Sequence, residues 1–191
     1  LAAVDGAILL VDASQGVQAQ TLATVHSAIE QDLTIIPVMN KIDLPQADVE
    51  KTRAEIIALI GGSPDEILAV SGKTGQGVLE LLDAVIDRVP SPTGDESAPL
   101  RALIFDAQYN SYKGIVAYVR VVDGSVKKGD RIHLFATGKE SEVLEVGTFA
   151  PKMSAQNELR TGSIGYIVTG FKDLLSCRVG DTITGVGSTA Q

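Results

Sequence analysis

Residues 35–39 form an uninterrupted apolar run within a predicted strand at 33–39. This run ends in the tetrapeptide Asn40-Lys41-Ile42-Asp43, and the feature constrains the fold most. Short continuous apolar runs are typical of strands that are buried on both faces of a parallel sheet. Residues 6–12 repeat the pattern and end in Asp12, so we expect the same two-sided burial there. Pro37 lacks the N–H that a ladder requires, which predicts an edge position or a local bulge for the second strand.

Helical periodicity alternates with these strands. The spacing of apolar residues predicts helices over residues 18–31, 47–60 and 78–89, and a third short strand over 67–70. Three strand and helix alternations indicate a parallel α/β sheet. Ligands in such sheets bind beyond the carboxyl ends of the strands, which is where residues 40–43 and 71–74 fall.

The second half of the chain has a different pattern. Residues 90–97, Pro-Ser-Pro-Thr-Gly-Asp-Glu-Ser, read as a linker between a domain at 1–89 and a domain at 98–191. Beyond the linker, short β-branched and aromatic segments separated by glycine-containing turns predict a small antiparallel barrel. The predicted strands are residues 103–105, 115–122, 131–135, 142–149, 163–169 and a final piece near Thr182. The fold class is therefore α/β followed by all-β.

Composition limits the classes of function. The net charge of −8 is uneven: residues 1–97 carry 15 acidic and 5 basic side chains, and residues 98–191 carry 9 and 11. An acidic first half argues against nucleic-acid binding by that half alone. No apolar run is long enough for a transmembrane helix, and the single cysteine, Cys177, fits a reducing compartment. Because the first residues include neither Met nor a basic region, we expect a chain cut in mid-fold and not a signal peptide.

The tetrapeptide carries chemistry suited to a guanine base. The two carboxylate oxygens of Asp43 match the adjacent N1–H and N2–H donors of guanine, whereas adenine offers an acceptor at N1 and no N2 amine. Asn40 can reach the O6/N7 side of the base or tie neighbouring loops together. The stem of Lys41 can lie on the base with its ammonium in solvent. An ordinary strand-to-helix turn also favours Asn and Asp, so the motif needs its context.

Ser71-Gly72-Lys73-Thr74 is a second candidate loop. Its Gly-Lys-Thr resembles the end of a phosphate-binding loop, but that motif requires glycine at position 67, where the chain has Ile67. We interpret residues 71–73 instead as a base-side loop, in which Gly72 leaves its N–H free for guanine O6. A tight turn freed by Gly75 and Gly77 is compatible with the same residues.

Together these motifs resemble a known family. Asn40-Lys41-Ile42-Asp43 and Ser71-Gly72-Lys73 look like the fourth and fifth guanine-binding motifs of a GTPase, with Gly72 where Ala is usual. The upstream motif is similar to the corresponding strand and helix of translational GTPases: Val11-Asp12-Ala13-x-x-Gly16-Val17-x-x-Gln20-Thr21. Within that superfamily, the barrel motifs narrow the match and resemble elongation factor 4, the LepA family, and the resemblance runs over residues 1–185. The barrel motifs are Phe105-Asp106-x-x-Tyr109-x-x-Tyr112-x-Gly114-Ile115-Val116, Val122-Asp123-Gly124, Lys128-Gly129-Asp130, Thr137-Gly138-Lys139, Glu145-Val146-Gly147-x-Phe149-x-Pro151, Gly165-Tyr166-Ile167-Val168 and Lys172-Asp173.

The resemblance implies a ribosome-associated GTP hydrolase that promotes back-translocation of tRNAs. It implies binding of GTP or GDP through Asn40–Asp43 and Ser71–Lys73, Mg²⁺ in the intact parent, and contact of the barrel with rRNA of the small subunit. It also implies a cytoplasmic protein, with a peripheral position at the inner face of the cell membrane. This sequence contains no phosphate-binding loop and no Asp with Gly three residues later, and neither His26 nor His133 matches the family's catalytic histidine. No catalytic or metal-binding residue is therefore assigned.

Two alternatives to elongation factor 4 stay open: another translational GTPase of the elongation or release class, or a non-catalytic ribosome-binding module. For the 191-residue chain alone we expect no GTP hydrolysis and at most weak GDP binding. We also expect self-association through the exposed strand at 6–12, unless the chain is part of a longer ordered protein.

Overall fold

A computed structural model describes residues 1–187. The chain divides into two compact units, Leu1–Pro90 and a second unit that begins at Ser91. In the first unit, strands and helices alternate as the sequence predicts, and all strand pairs are parallel in the order β1-β2-β3. The elements are β1 (Gly6–Asp12), α1 (Ala19–Glu30), β2 (Thr34–Asn40), α2 (Val49–Ile60), β3 (Leu68–Ala69) and α3 (Val78–Arg88).

The helices cover both faces of this sheet. Residues of α1 and α2 pack with Leu9, Val11 and Met39 in one core cluster, while α3 packs over Ile36 and Val38 on the other face. Alternate residues of a strand point to opposite faces, which is how β2 serves both clusters. The two-sided core explains why β2 is apolar from Ile35 to Met39.

The structure places Pro37 on the central strand, so the predicted edge position is wrong. Its pairing with Leu9 of β1 continues without a bulge. The carbonyl of Met39 accepts a hydrogen bond from Val70 N, so Met39 presents its backbone groups to the β3 side of β2. Residues two apart in a strand present their backbone groups to the same side. The nitrogen of Pro37 therefore faces the β3 side, where pairing begins only at Val38 and Leu68. No ladder bond is lost.

The expectation that β1 is buried on both faces is also wrong. Leu9 and Val11 are buried, but Ile8 and Leu10 are 48% and 54% exposed. Ile8 and Leu10 pair with Ile36 and Val38 and so lie on the α3 side of the sheet. The α3 helix packs against β2 without covering β1, which leaves one apolar face of this edge strand open.

The second unit is all-β, as predicted. Eight strands pair antiparallel in the order β10-β9-β12-β5-β4-β13-β7-β8, and β11 pairs with β6. Buried side chains from both sheets form one apolar core, which gives the unit its barrel character. The strands are β4 (Arg101–Asn110), β5 (Gly114–Asp123), β6 (Ser125–Lys127), β7 (Arg131–Leu134), β8 (Lys139–Glu142), β9 (Glu145–Ala150), β10 (Lys152–Gln156), β11 (Glu158–Arg160), β12 (Ile164–Val168) and β13 (Thr182–Gly185).

The strand predicted over 142–149 is in fact two strands. Glu142 ends β8 and Glu145 begins β9, and between them the N–H groups of Val143 and Leu144 donate to Asp130 O and Val168 O. The strands β6, β8 and β10 have no continuous apolar run because most of their residues face solvent, and β11 has one buried residue between two polar ones. Within residues 1–187, no helix combines the length and apolar composition that a membrane crossing requires.

Candidate nucleotide-binding site

The parallel sheet brings its polar loops together at the carboxyl ends of the strands. Asp12 at the end of β1 pairs in register with Asn40 at the end of β2, and Ala13 N donates to Asn40 O at 2.9 Å. Ile42 N donates to Val70 O at 3.4 Å, which connects the loop after β2 to the loop after β3. The segments 40–43 and 71–73 therefore lie side by side, as predicted from their positions at strand ends.

The side chain of Asn40 ties these loops together. Its Oδ1 accepts from Lys41 N at 2.7 Å and from Gly72 N at 3.1 Å. Of the two roles open to Asn40 in the sequence, the structure shows the tie between loops. The expectation that Gly72 N–H is free for a ligand is wrong in this arrangement, because Asn40 accepts that hydrogen.

Ser71 orients Asp43. The hydroxyl of Ser71 donates to Asp43 Oδ1 at 2.7 Å and accepts from Thr74 N at 3.1 Å. Ser71 is fully buried, while Asp43 is half-buried. A carboxylate held by one oxygen from behind keeps acceptor capacity for a ligand in front. Ser71 thus supports the carboxylate and is itself removed from the surface of the site.

The ammonium group of Lys41 is not free in solvent, contrary to expectation. Its Nζ lies 2.6 Å from Asp12 Oδ2, and Lys41 itself has a positive φ of 62°. The hydrogen bond from Lys41, with those from the backbone and hydroxyl of Ser14, lowers the pKa of Asp12 to about 2. Asp12 is therefore ionised at neutral pH and fixes the charged end of Lys41.

A cavity of about 270 Å³ opens between the two loops. The residues that line it are Asn40, Lys41, Asp43, Leu44, Gly72 and Lys73. Ile42 points away from it and packs into the core beneath the loop. A planar polar group could contact Asp43 at its edge and the Lys41 stem on its face.

The sequence gives no role in the site to two contributors, Asp12 and Thr74. Asp12 stands out only as the end of a strand and as part of the Val11–Thr21 motif, although parallel pairing of two runs of equal length predicts its position beside Asn40. The contribution of Thr74 is a backbone N–H, which leaves no signal in the identity of a side chain.

Three other reactive side chains do not belong to these loops. His26 is in α1 and His133 in β7, as predicted. Burial raises the pKa of Cys177 to about 11, so this thiol stays protonated at neutral pH. In the part of the chain that the structure describes, no three His, Cys, Asp or Glu side chains are grouped to hold a metal ion.

Comparison with known proteins agrees with both units. Residues 1–91 match the elongation factor Tu GTP binding domain, and residues 114–184 match elongation factor Tu domain 2. The chain is 53% identical over its whole length to elongation factor 4 of Thermobifida fusca (strain YX), of which it covers 31%. It is 51% identical over its whole length to elongation factor 4 of Bacillus subtilis (strain 168), again covering 31%.

A solved structure shows the same fold. Translation elongation factor SelB from Methanococcus maripaludis, in its apo form, matches 96% of this chain with a TM-score of 0.82 at 21% identity, and the match covers 40% of that protein. A parallel sheet with this polar loop, followed in sequence by an antiparallel barrel, defines the class of GTP-binding translation factors. Since identity to the curated relatives extends over the whole chain, the chain belongs to the elongation factor 4 family. It spans about a third of the length of these relatives.

Proposed function

We propose that the first unit recognises the guanine base of GTP or GDP, as part of a ribosome-associated translational GTPase. The observation that carries this proposal is the setting of Asp43, which lines the cavity while the Ser71 hydroxyl donates to one of its carboxylate oxygens. Asn40, Lys41, Gly72 and Lys73 line the remainder of the base site, and Ile42 and Ser71 support it from below.

The proposal also assigns a role to each part of the chain. Residues 1–89 supply the base-recognising part of a GTP-binding domain, 90–97 form a linker, and 98–191 form the barrel that contacts the ribosomal small subunit and its rRNA. The full-length protein acts in elongation, with back-translocation of tRNAs as its specific step. A cytoplasmic location with peripheral membrane contact stays a prediction from the family.

Hydrolysis is assigned to the full-length protein and not to the 191-residue chain. Phosphoryl transfer needs groups that cradle the phosphates, hold a metal ion and position water. This sequence has neither a Gly-x-x-x-x-Gly-Lys-Ser/Thr motif nor an Asp-x-x-Gly motif. Mg²⁺ would supply charge neutralisation at the phosphates when bound in the full-length protein, and the residues of this chain act on the base alone.

The experiment that tests the proposal is competition for a fluorescent GDP analogue on the full-length gene product. We expect GDP to displace the analogue at least ~100-fold more effectively than ADP, because adenine has no N1–H or N2–H donor for the Asp43 carboxylate. Equal displacement by GDP and ADP would overturn the proposal. In parallel, the 191-residue chain should release no phosphate from GTP, and measurable turnover would contradict that assignment.

A further inference from the structure

Asp12 occupies a position that the base site does not obviously require. It ends β1, one strand away from Asp43, and its backbone carbonyl accepts from Gln15 N and Gly16 N in the next turn. A carboxylate here could simply cap that turn. Its side chain, however, is directed to the adjacent strand, where Oδ2 lies 2.6 Å from Lys41 Nζ.

The carboxylate is held from two sides. Oδ1 accepts from Ser14 N at 2.9 Å and from Ser14 Oγ at 2.7 Å, which leaves Oδ2 for Lys41. The Asp12 side chain is 20% exposed and the Lys41 side chain 51% exposed. Asp12 is thus the fixed partner of the pair, and Lys41 is the long chain whose position depends on it.

An ion-pair partner restricts the conformations of the Lys41 side chain. A lysine side chain has four rotatable bonds, and holding it in one geometry costs conformational entropy. Its backbone is also in the left-handed region, with φ at 62°. The ion pair with Asp12 restrains the far end of a side chain whose residue lines the cavity.

We propose that Asp12 is a positioning residue for nucleotide binding, which holds the Lys41 stem in place as one face of the base site. Asp12 does not touch the nucleotide and acts through Lys41. Ser14 orients Asp12 in turn, so that three residues from two loops form one relay. This inference rests on the proposed recognition of guanine at the same cavity.

A double-mutant cycle on the full-length gene product tests the relay. The Kd for a fluorescent GDP analogue is measured for wild type, Asp12→Asn, Lys41→Met and the double variant. Lys41→Met keeps an apolar stem and removes the charge. Each single variant should raise Kd about fivefold, the upper end of the effect of a partly exposed ion pair. The Kd of the double variant should be no higher than that of either single variant.

Two results would overturn the inference. The first is a Kd for Asp12→Asn within about twofold of wild type. The second is a double variant whose loss equals the product of the single losses, since a merely structural effect of Asp12 would act independently of Lys41. If Asp12→Asn does not fold, Ser14→Ala takes its place in the cycle, with a smaller loss that must likewise disappear in the Lys41→Met background.

The competition between GDP and ADP separates this inference from the proposed function. If wild type prefers GDP and the cycle is additive, only the role of Asp12 is overturned. If wild type shows no preference for GDP, both the base site and the relay are overturned.

Discussion

Hydrogen bonds between neighbouring side chains determine what individual residues can do in both units. In the barrel, Tyr166 is 1% exposed, and its hydroxyl donates to Glu145 Oε1 at 2.7 Å, which also lies 2.7 Å from Lys113 Nζ. Burial, with the hydrogen bond to Glu145 and the charge of Glu145, raises the pKa of Tyr166 to about 12. The lysine, in turn, holds the pKa of Glu145 below its usual range.

This network predicts a specific alkaline titration. Because the folded pKa of Tyr166 is raised, its contribution to stability is complete below pH 10 and is lost as pH rises through about 12. The absorbance titration of wild type minus that of Tyr166→Phe should show one phenol ionising near pH 12. Glu145→Gln should lower that pKa because it removes the negative charge beside the phenolate. An unchanged titration in Glu145→Gln would refute the assigned cause.

The types of residue in the base site could be predicted from the sequence, but their partners could not. Asp43 and Asn40 are informative because few side chains match guanine. The pairing of Lys41 with Asp12, and the use of Gly72 N–H by Asn40, depend on strand register and loop conformation at the level of ångströms. The sequence therefore specifies the residue types of the site but not the partner of each side chain.

A strand or helix was predictable from the sequence when at least one of its faces is buried, because burial gives a regular apolar pattern. Helices α1 to α3 and strands β1 and β2 carry strong periodicity and lie within two residues of their predicted bounds. The strands β8 and β10 are largely exposed, so their sequences give no apolar signal. The prediction for Pro37 was wrong because proline is excluded only where its nitrogen faces a paired strand. At Pro37 the nitrogen faces the β3 side, where pairing has not yet begun.

The turn between β3 and α3 offers a matched pair of glycines. Gly75 and Gly77 both have positive φ, at 85° and 70°. A Cβ at Gly75 would meet nothing within 4 Å, whereas one at Gly77 would collide with the carbonyl oxygen of Ala69 in β3. Gly77 therefore lets α3 begin directly against the sheet.

Alanine substitutions at the two glycines should separate the cost of backbone strain from the cost of a steric collision. Gly75→Ala should cost about 1 kcal/mol for the left-handed backbone alone, and Gly77→Ala roughly 3 kcal/mol because overpacking is added. Urea unfolding followed by helical circular dichroism reports on the first unit, since α1, α2 and α3 all lie within Leu1–Pro90. Equal losses for the two variants would show that contact with Ala69 is unimportant.

The chain as a whole combines a strongly acidic first unit with an apolar strand edge. Edge strands without charges or prolines are templates for pairing with another chain. In β1 the only charged residue is the terminal Asp12, while Ile8 and Leu10 are about half exposed. We therefore propose that the isolated 191-residue chain self-associates through β1.

Charge on the open face of β1 should prevent that association. Leu10→Lys should sediment with the mass of one chain over a range of concentrations in which wild type shows larger species. Leu175→Lys, at a 71% exposed position in the barrel, serves as the matched control and should behave as wild type. Wild type that sediments as a monomer at every concentration, with its helical signal intact, would contradict the prediction.

The central claim is that Asp43 selects guanine, and a change of base preference tests it most directly. In the full-length gene product, Asp43→Asn replaces one acceptor by an amide donor, which suits xanthine, where a carbonyl replaces the N2 amine of guanine. The ratio of Kd values for GDP and xanthosine diphosphate is measured for wild type and Asp43→Asn. We predict that the variant loses at least ~10-fold in GDP affinity and prefers xanthosine diphosphate. A variant that still prefers GDP by the wild-type ratio would show that Asp43 does not read the base.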